Sequence, residues 1–356
     1  MTLTKITIKK LALAVLACAM TSASMAADNV GFVYVSPIGD AGWTYQHDLG
    51  RLQLEKETGV TTSYVENVAE GADAERVIRE MAKRGDKVIF ATSLGYMNYA
   101  LKVSRSFRKT AFVHATGYKL GKNMGLVNAR FYEGRYLTGV IGGEMTKSNV
   151  LGYVAAFPIP EVLQGINAFI KGARSVNPKA ELRVIWVNSW YDPGKERQAA
   201  MTLMSQGADV ITHHTDSTAV VQAAEEQGKY AFGYHSDMSK YGPKAHLTST
   251  THHWGDYYVK TVKEAQADNW KPTSVWGGYD LGMIKLAPLN KAIPEALRNR
   301  IGDMEKQMAS GALHAFAGPV VDQSGKIVVA AGSNLTDDQL NSMNYYLEGV
   351  VSKIPN

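Results

Sequence analysis

Trp43 and Trp190 stand in matching places in two halves of the chain and are the side chains best suited to grip a flat ligand. Trp43 follows a strand-like run at 30–35 and opens a helix-like stretch; Trp190 does the same after a run at 182–187. Large aromatics at strand-to-helix turns lie on the sheet edge where open α/β folds bind ligands. One from each half would stack on the two faces of a ring. Polar residues gather at the same kind of place. Asp40 precedes Trp43, Ser93 and Tyr96 follow a strand at 87–92, Asp216 follows His214-Thr215, and Asp237 closes Tyr234-His235-Ser236. A flat polar ring needs this set: stacking on its faces, with carboxylates and hydroxyls bonding to its rim. Each polar residue alone also fits a turn or a cap, and Asp40 is placed to cap the helix after Gly42.

Other chemistries lack their residues. No G-x-G-x-x-G follows the first strand, and the chain contains neither G-x-x-x-x-G-K-[ST] nor G-x-S-x-G. Gly139, Gly142 and Gly143 have the wrong spacing for a nucleotide loop. The expectation is a binding protein with no cofactor, not an enzyme. The histidines include two adjacent pairs, His213-His214 and His252-His253, with His235 between them in sequence. Neighbours on a strand point to opposite faces, so neither pair chelates as a unit. One member of each with His235 is a conceivable zinc set, but H-E-x-x-H is absent and no metal is expected.

These residues need elements to position them. Residues 61–66 read as a strand, 72–84 as an amphipathic helix, Gly85 as its stop, and 87–92 as a strand. The order recurs: a strand at 182–187, a helix at 193–206 with Pro193 in its first turn, Gly207 as the stop, and a strand at 209–213. Gly85 and Gly207 lie 122 residues apart, and the strand pairs Ala111-Phe112 and Ala231-Phe232 lie 120 apart. Such alternation predicts two doubly wound, mostly parallel Rossmann-like sheets related by an internal repeat and joined by short hinge strands. The boundaries read as a first lobe over 27–147 completed by about 253–277, and a second over 148–252 completed by about 278–356.

The amino end reads as an address. Lys5, Lys9 and Lys10 precede an apolar run at 11–20, and Ser24-Met25-Ala26 offers small residues for cleavage before Ala27. This predicts a signal peptide over 1–26 and an exported, periplasmic protein. The run is too short for a spanning helix, which needs about 20 apolar residues. Cys18, the only cysteine, lies inside it, so that cleavage removes any disulfide or thiol chemistry. Val15-Leu16-Ala17-Cys18 also loosely fits a lipoprotein site, with Cys18 lipidated as the alternative. The full chain has 38 basic and 33 acidic residues; loss of 1–26 removes three lysines and leaves 35 against 33. No strong field remains and no basic stretch is interleaved with aromatics, so nucleic acid is not an expected partner.

The chain resembles the basic membrane protein family, the purine-nucleoside-type substrate-binding proteins of ABC importers, from Val30 to about Ile354. The stretches that carry the resemblance are 131–139, Met145-Thr146-Lys147, 151–154, Ile159-Pro160, Val176-Asn177-Pro178, 207–211, Leu247-Thr248-Ser249 and 282–288. It implies the type I periplasmic-binding fold, a monomer whose lobes close on the ligand, and delivery to an ABC permease in the inner membrane. It also implies pocket roles: Asp40 and Trp43 from the first lobe, Trp190 from the second, and Asp237 as the residue on the ribose. Where the family carries a lysine after Leu-Thr-Ser, His252 stands nearest. A free purine base such as adenine or hypoxanthine and a nucleoside therefore both stay open. Two other readings stand beside these: a sugar-binding protein of similar fold, marked by many Asp, Asn and Arg residues in its pocket, and a metal-dependent enzyme. A transcription regulator of this fold would need a DNA-binding domain where the signal features lie.

Overall fold

The computed structural model describes residues 29–355, so the signal segment and Cys18 lie outside the described residues. The chain begins with β1 (Asn29–Val33), α1 (Trp43–Thr58), β2 (Thr61–Val65), α2 (Ala72–Arg84), β3 (Val88–Ala91), α3 (Met97–Ser104), β4 (Ala111–Ala115) and β5 (Met124–Ala129). It continues with α4 (Phe131–Met145), β6 (Val150–Ala155), α5 (Pro160–Val176), β7 (Glu181–Trp186), α6 (Pro193–Ser205), β8 (Val210–His214), α7 (Ala219–Glu226), β9 (Tyr230–His235) and β10 (His246–His252). The chain then crosses back for α8 (Gly255–Gln266) and β11 (Ser274–Gly277), and again for β12 (Ile284–Leu286) and α9 (Glu295–Ala309).

Two six-stranded sheets result. The first has the order β11-β5-β4-β3-β1-β2, with every pair parallel. The second has the order β12-β10-β9-β8-β6-β7, parallel except that β12 runs against β10. Their central strands, such as Val88 to Ala91 in β3, are buried on both sides, as parallel strands covered by helices must be. On the first sheet, Val77, Ile78 and Met81 of α2 pack with Ile89 and Phe112, while Leu54 of α1 and Tyr258 of α8 fill the opposite face. Arg76 pairs with Asp73 and Glu80 on the solvent face of α2.

The sequence pattern placed α2 over 72–84, which is its observed span. The helix read at 193–206 is observed over Pro193–Ser205, and the Asp192 carboxylate accepts the Lys195 N–H at 3.0 Å and caps it. Trp190 is left on the connecting loop, free to face the other sheet.

Three crossings join the sheets, near Arg130, between His252 and Gly255, and between Gly277 and Ile284. Helix α4, assigned from sequence to the first lobe, packs along α5 and against β10, beside the second sheet. Arg130 braces two of the crossings. Its N–H donates to the Gly277 carbonyl at 2.7 Å, and its guanidinium pairs with Glu133 and Asp280 at 2.5 Å each.

Candidate functional site

A narrow cavity lies between the carboxyl-terminal edges of the two sheets. Val35, Trp43, Ser93, Leu94 and Thr116 wall it from the first sheet, and Glu161, Trp190, His214, Asp216 and His235 from the second. It opens beside β1 and β3 on one side and β6 and β8 on the other, where each strand order reverses. Diverging connections leave a crevice at such a switch point. Two wall residues turn through left-handed backbone, Thr116 at φ 63° and His235 at φ 67°. A β-branched residue rarely adopts this, and such conformations cluster at binding sites.

Trp43 begins α1 and is 8% exposed. Its indole N–H donates to the Thr92 carbonyl at 2.7 Å, and its ring meets His47 and His235 edge-on at 4.3 and 5.3 Å. Ser93 donates its hydroxyl to Glu70 at 2.5 Å. On the facing wall, half-buried Trp190 lies edge-on to Phe157 at 5.0 Å and tilted to His214 at 6.4 Å. Its carbonyl accepts the Asp216 N–H at 2.9 Å, which ties the ring to the acid beside it.

The polar wall consists of two acid–imidazole pairs. Asp216 Oδ1 lies 3.1 Å from His235 Nε2, at an angle that makes no hydrogen bond, and Asp216 Oδ2 has no partner. Glu161 Oε1 lies 3.7 Å from His214 Nε2, and Glu161 Oε2 accepts a hydrogen bond from the Asn128 amide at 3.3 Å. Burial disfavours charge on all four. It pushes the Glu161 carboxyl up to about 8, with the Asn128 bond opposing. Burial, then the nearby charge of Glu196, raises Asp216 well above the usual carboxylate range. Burial holds both imidazoles far below theirs, aided at His214 by the Arg135 cation and at His235 first by His252. Arg135 is fully buried behind this wall, its guanidinium 3.6 Å from the Tyr234 ring centre.

Of the residues read from sequence, Trp43, Ser93, Trp190 and Asp216 reach the cavity wall; Asp40, Tyr96, Asp237 and His252 do not. The turn Leu94–Tyr96 rotates Tyr96 into the core, where its hydroxyl donates to the Val68 carbonyl at 2.5 Å. Asp40 is exposed, paired with Lys240 at 2.7 Å in an open groove outside the cavity. Asp237 faces the same groove and accepts the Ser239 N–H at 2.9 Å. His252 ends β10 behind the wall, its Nδ1 3.1 Å from His235 Nδ1, so it touches the cavity only through His235.

Glu161, His214, His235 and Thr116 were missed as site residues. His214 and His235 sat in the polar clusters already noted. Glu161 had a signal in its position one residue after Pro160, at the strand-to-helix turn after β6. Among the described residues, no group of three or more His, Cys, Asp or Glu side chains is placed to hold a metal ion. Among the same residues, no helix is long and apolar enough to cross a membrane.

The chain matches a protein family described as PnrA-like ABC transporter substrate-binding protein over residues 27–314. It is 48% identical over 328 residues to a purine-binding protein of Brucella abortus, spanning 92% of this chain and 93% of that one. It is 37% identical over 329 residues to a Haloferax volcanii protein provisionally named an ABC transporter glucose-binding protein, spanning 92% and 81%. Among solved structures, an ABC transporter solute-binding protein from Aeropyrum pernix superposes with a TM-score of 0.71 at 15% identity, covering 88% of this chain and 95% of that one, a likeness of fold alone. The two-sheet architecture is that of the type I periplasmic-binding proteins.

Proposed function

This chain belongs to the PnrA-like family of ABC transporter substrate-binding proteins, and we propose that it captures a purine between its two lobes and hands it to an ABC permease. As a substrate-binding protein it carries no reaction. One observation carries the ligand reading: Trp43 and Trp190 wall one cavity from opposite sheets, with hydrogen-bonding acids and imidazoles between them. Stacking on a base is worth about 1–3 kcal/mol per contact in nucleic-acid systems. The 48% identical relative named for purine binding supports the same ligand class.

Within that class we favour a free base such as adenine or hypoxanthine over a nucleoside. Ribose hydroxyls need polar partners once the cleft closes, since each buried unpaired group costs about 1–3 kcal/mol. No lysine lines the cavity, and His252 stands behind it. The relative named for glucose binding favours a second reading, a sugar. Against it, neither Asn nor Arg lines the cavity to grip a ring of hydroxyls.

The lobes are taken as the two sheets with their covering helices. The protein acts as an exported monomer, cut before Ala27 in the periplasm, with lipidation at Cys18 as the alternative; N-terminal sequencing of periplasmic material separates the two. Mass spectrometry of small molecules released from denatured protein, then calorimetry with adenine, hypoxanthine, guanine, their nucleosides and common sugars, tests the ligand. Tight binding of a sugar with no purine response would sink the purine reading.

A further inference from the structure

The two acid–imidazole pairs are neighbours. The His214 and His235 rings lie 6.3 Å apart and nearly perpendicular, at 88°, so the pairs face different directions within one wall. Each abuts one of the tryptophans: His235 meets Trp43 and His214 meets Trp190. The wall is also short of partners. Asp216 Oδ2 and His235 Nε2 are buried, belong to residues at most 6% exposed, and make no hydrogen bond within the protein. Native proteins rarely leave such atoms unmatched. Both belong to residues of the cavity wall.

We propose that these pairs, Asp216–His235 and Glu161–His214, are the specificity-determining readers of the site, and that they select purines unsubstituted at N9. The inference rests on the purine reading above. A carboxyl in its neutral form offers a donor and an acceptor side by side, and a neutral imidazole offers one of each on opposite edges. An N9-unsubstituted purine presents the matching pattern twice. At one end the N9–H donor sits beside the N3 acceptor; at the other the six-position substituent sits beside N7 or N1. A ring held between the tryptophans turns both ends towards the wall. A substituent at N9 removes one donor and leaves a carboxyl oxygen buried without a partner.

The test is calorimetric titration of wild type, Asp216→Leu and Glu161→Leu with adenine, 9-methyladenine and adenosine, alongside thermal melts. Leucine keeps the approximate volume of either acid and removes a buried polar group, so the fold should hold. Wild type is expected to bind adenine at least about tenfold tighter than 9-methyladenine. Each variant should lose at least about tenfold for adenine, and one of them should lose the discrimination between adenine and 9-methyladenine. That ratio is a readout that a general loosening of the cleft leaves unchanged. Equal wild-type affinity for the two bases, or discrimination that survives both substitutions, overturns the inference while leaving the purine reading intact. Wild type that binds no purine overturns both. The wild-type comparison stands even where a variant fails to fold.

Discussion

The Asp40 carboxylate accepts a hydrogen bond from the Lys240 ammonium at 2.7 Å, although 200 positions of chain separate them. Tyr241 donates its hydroxyl to the same carboxylate. Close by, the Gly42 N–H donates to the Ser236 hydroxyl, and the Gln46 amide donates to the His235 carbonyl, both at 2.9 Å. Every one of these contacts joins the edge of the first sheet to the edge of the second. They describe a closed cleft, since a hinge motion about the three crossings would part them.

Asp40 therefore acts on closure. The Lys240 and Tyr241 hydrogen bonds hold its carboxyl below the usual carboxylate range, but the side chain is 69% exposed. Solvent and salt screen such a pair. Asp40→Asn is expected to weaken ligand binding by less than about fivefold, with the difference shrinking at high salt. Calorimetry at two salt concentrations checks this; a loss beyond about a hundredfold, independent of salt, would place Asp40 on the ligand.

Trp190→Ala should separate stacking from packing. Trp190 is half-buried on a loop, so its truncation leaves the core of the second sheet largely intact. The expected result is at least a tenfold weaker ligand affinity, about 1.4 kcal/mol, with a small change in melting temperature. Trp43→Ala also removes the bond to Thr92 and contacts with His47, so it should lower affinity and melting temperature together. A Trp190 variant that binds normally but melts early would make that ring a packing residue.

How much of this was legible beforehand depended on the range over which each feature is decided. The left-handed stop at Gly85 and the apolar stripe of α2 are local, and the pattern located both. The alternation along the chain was visible, but the two tryptophans are not at equivalent places in it: Trp43 follows β1, whereas Trp190 follows β7, whose counterpart in the first sheet is β2. The destinations of Asp40 and His252 were not visible. Asp40 stands three residues before Trp43, but its partner, Lys240, comes from the other sheet. His235 reaches the cavity because its backbone turns left-handed at the end of β9, a conformation that a histidine's identity does not announce. Glu161 becomes a cavity residue only when β6 and β8 become neighbours in the second sheet.

Acid should loosen the protein in the histidine range. Seven histidines are buried: His47, His114, His213, His214, His235, His246 and His252. Burial holds each imidazole low, to about 4 at His114 and His246 and about 3 at His213. Their folded values lie below the unfolded one, so their stabilisation is full above about pH 6.5 and is lost as pH falls towards 4. The raised carboxyls work the other way: Glu133, Glu161, Glu196, Asp216 and Glu305 favour folding at low pH and lose that contribution as pH rises. The histidines outnumber them. The melting temperature is expected to fall from about pH 6.5 to about pH 5, measured by calorimetric scans in matched buffers. Stability that rises over that interval would contradict this account.

Gly42→Ala should block closure specifically. Gly42 caps α1 at φ 97°, and a Cβ there would lie 2.2 Å from the Asp216 carbonyl oxygen on the opposite lobe. That contact is with backbone, which cannot swing away. The substitution carries two costs. Backbone strain of about 1–3 kcal/mol acts in open and closed forms alike, while the clash acts only when the lobes meet. Gly59→Ala separates the two, because Gly59 has φ 71° but nothing within 4 Å of the added carbon. Both variants should melt somewhat earlier than wild type. Only Gly42→Ala should also bind ligand at least tenfold more weakly, about 1.4 kcal/mol, and stay extended in small-angle scattering at saturating ligand. Equal affinities for the two variants would mean that the ligand is held without the approach of Gly42 to Asp216.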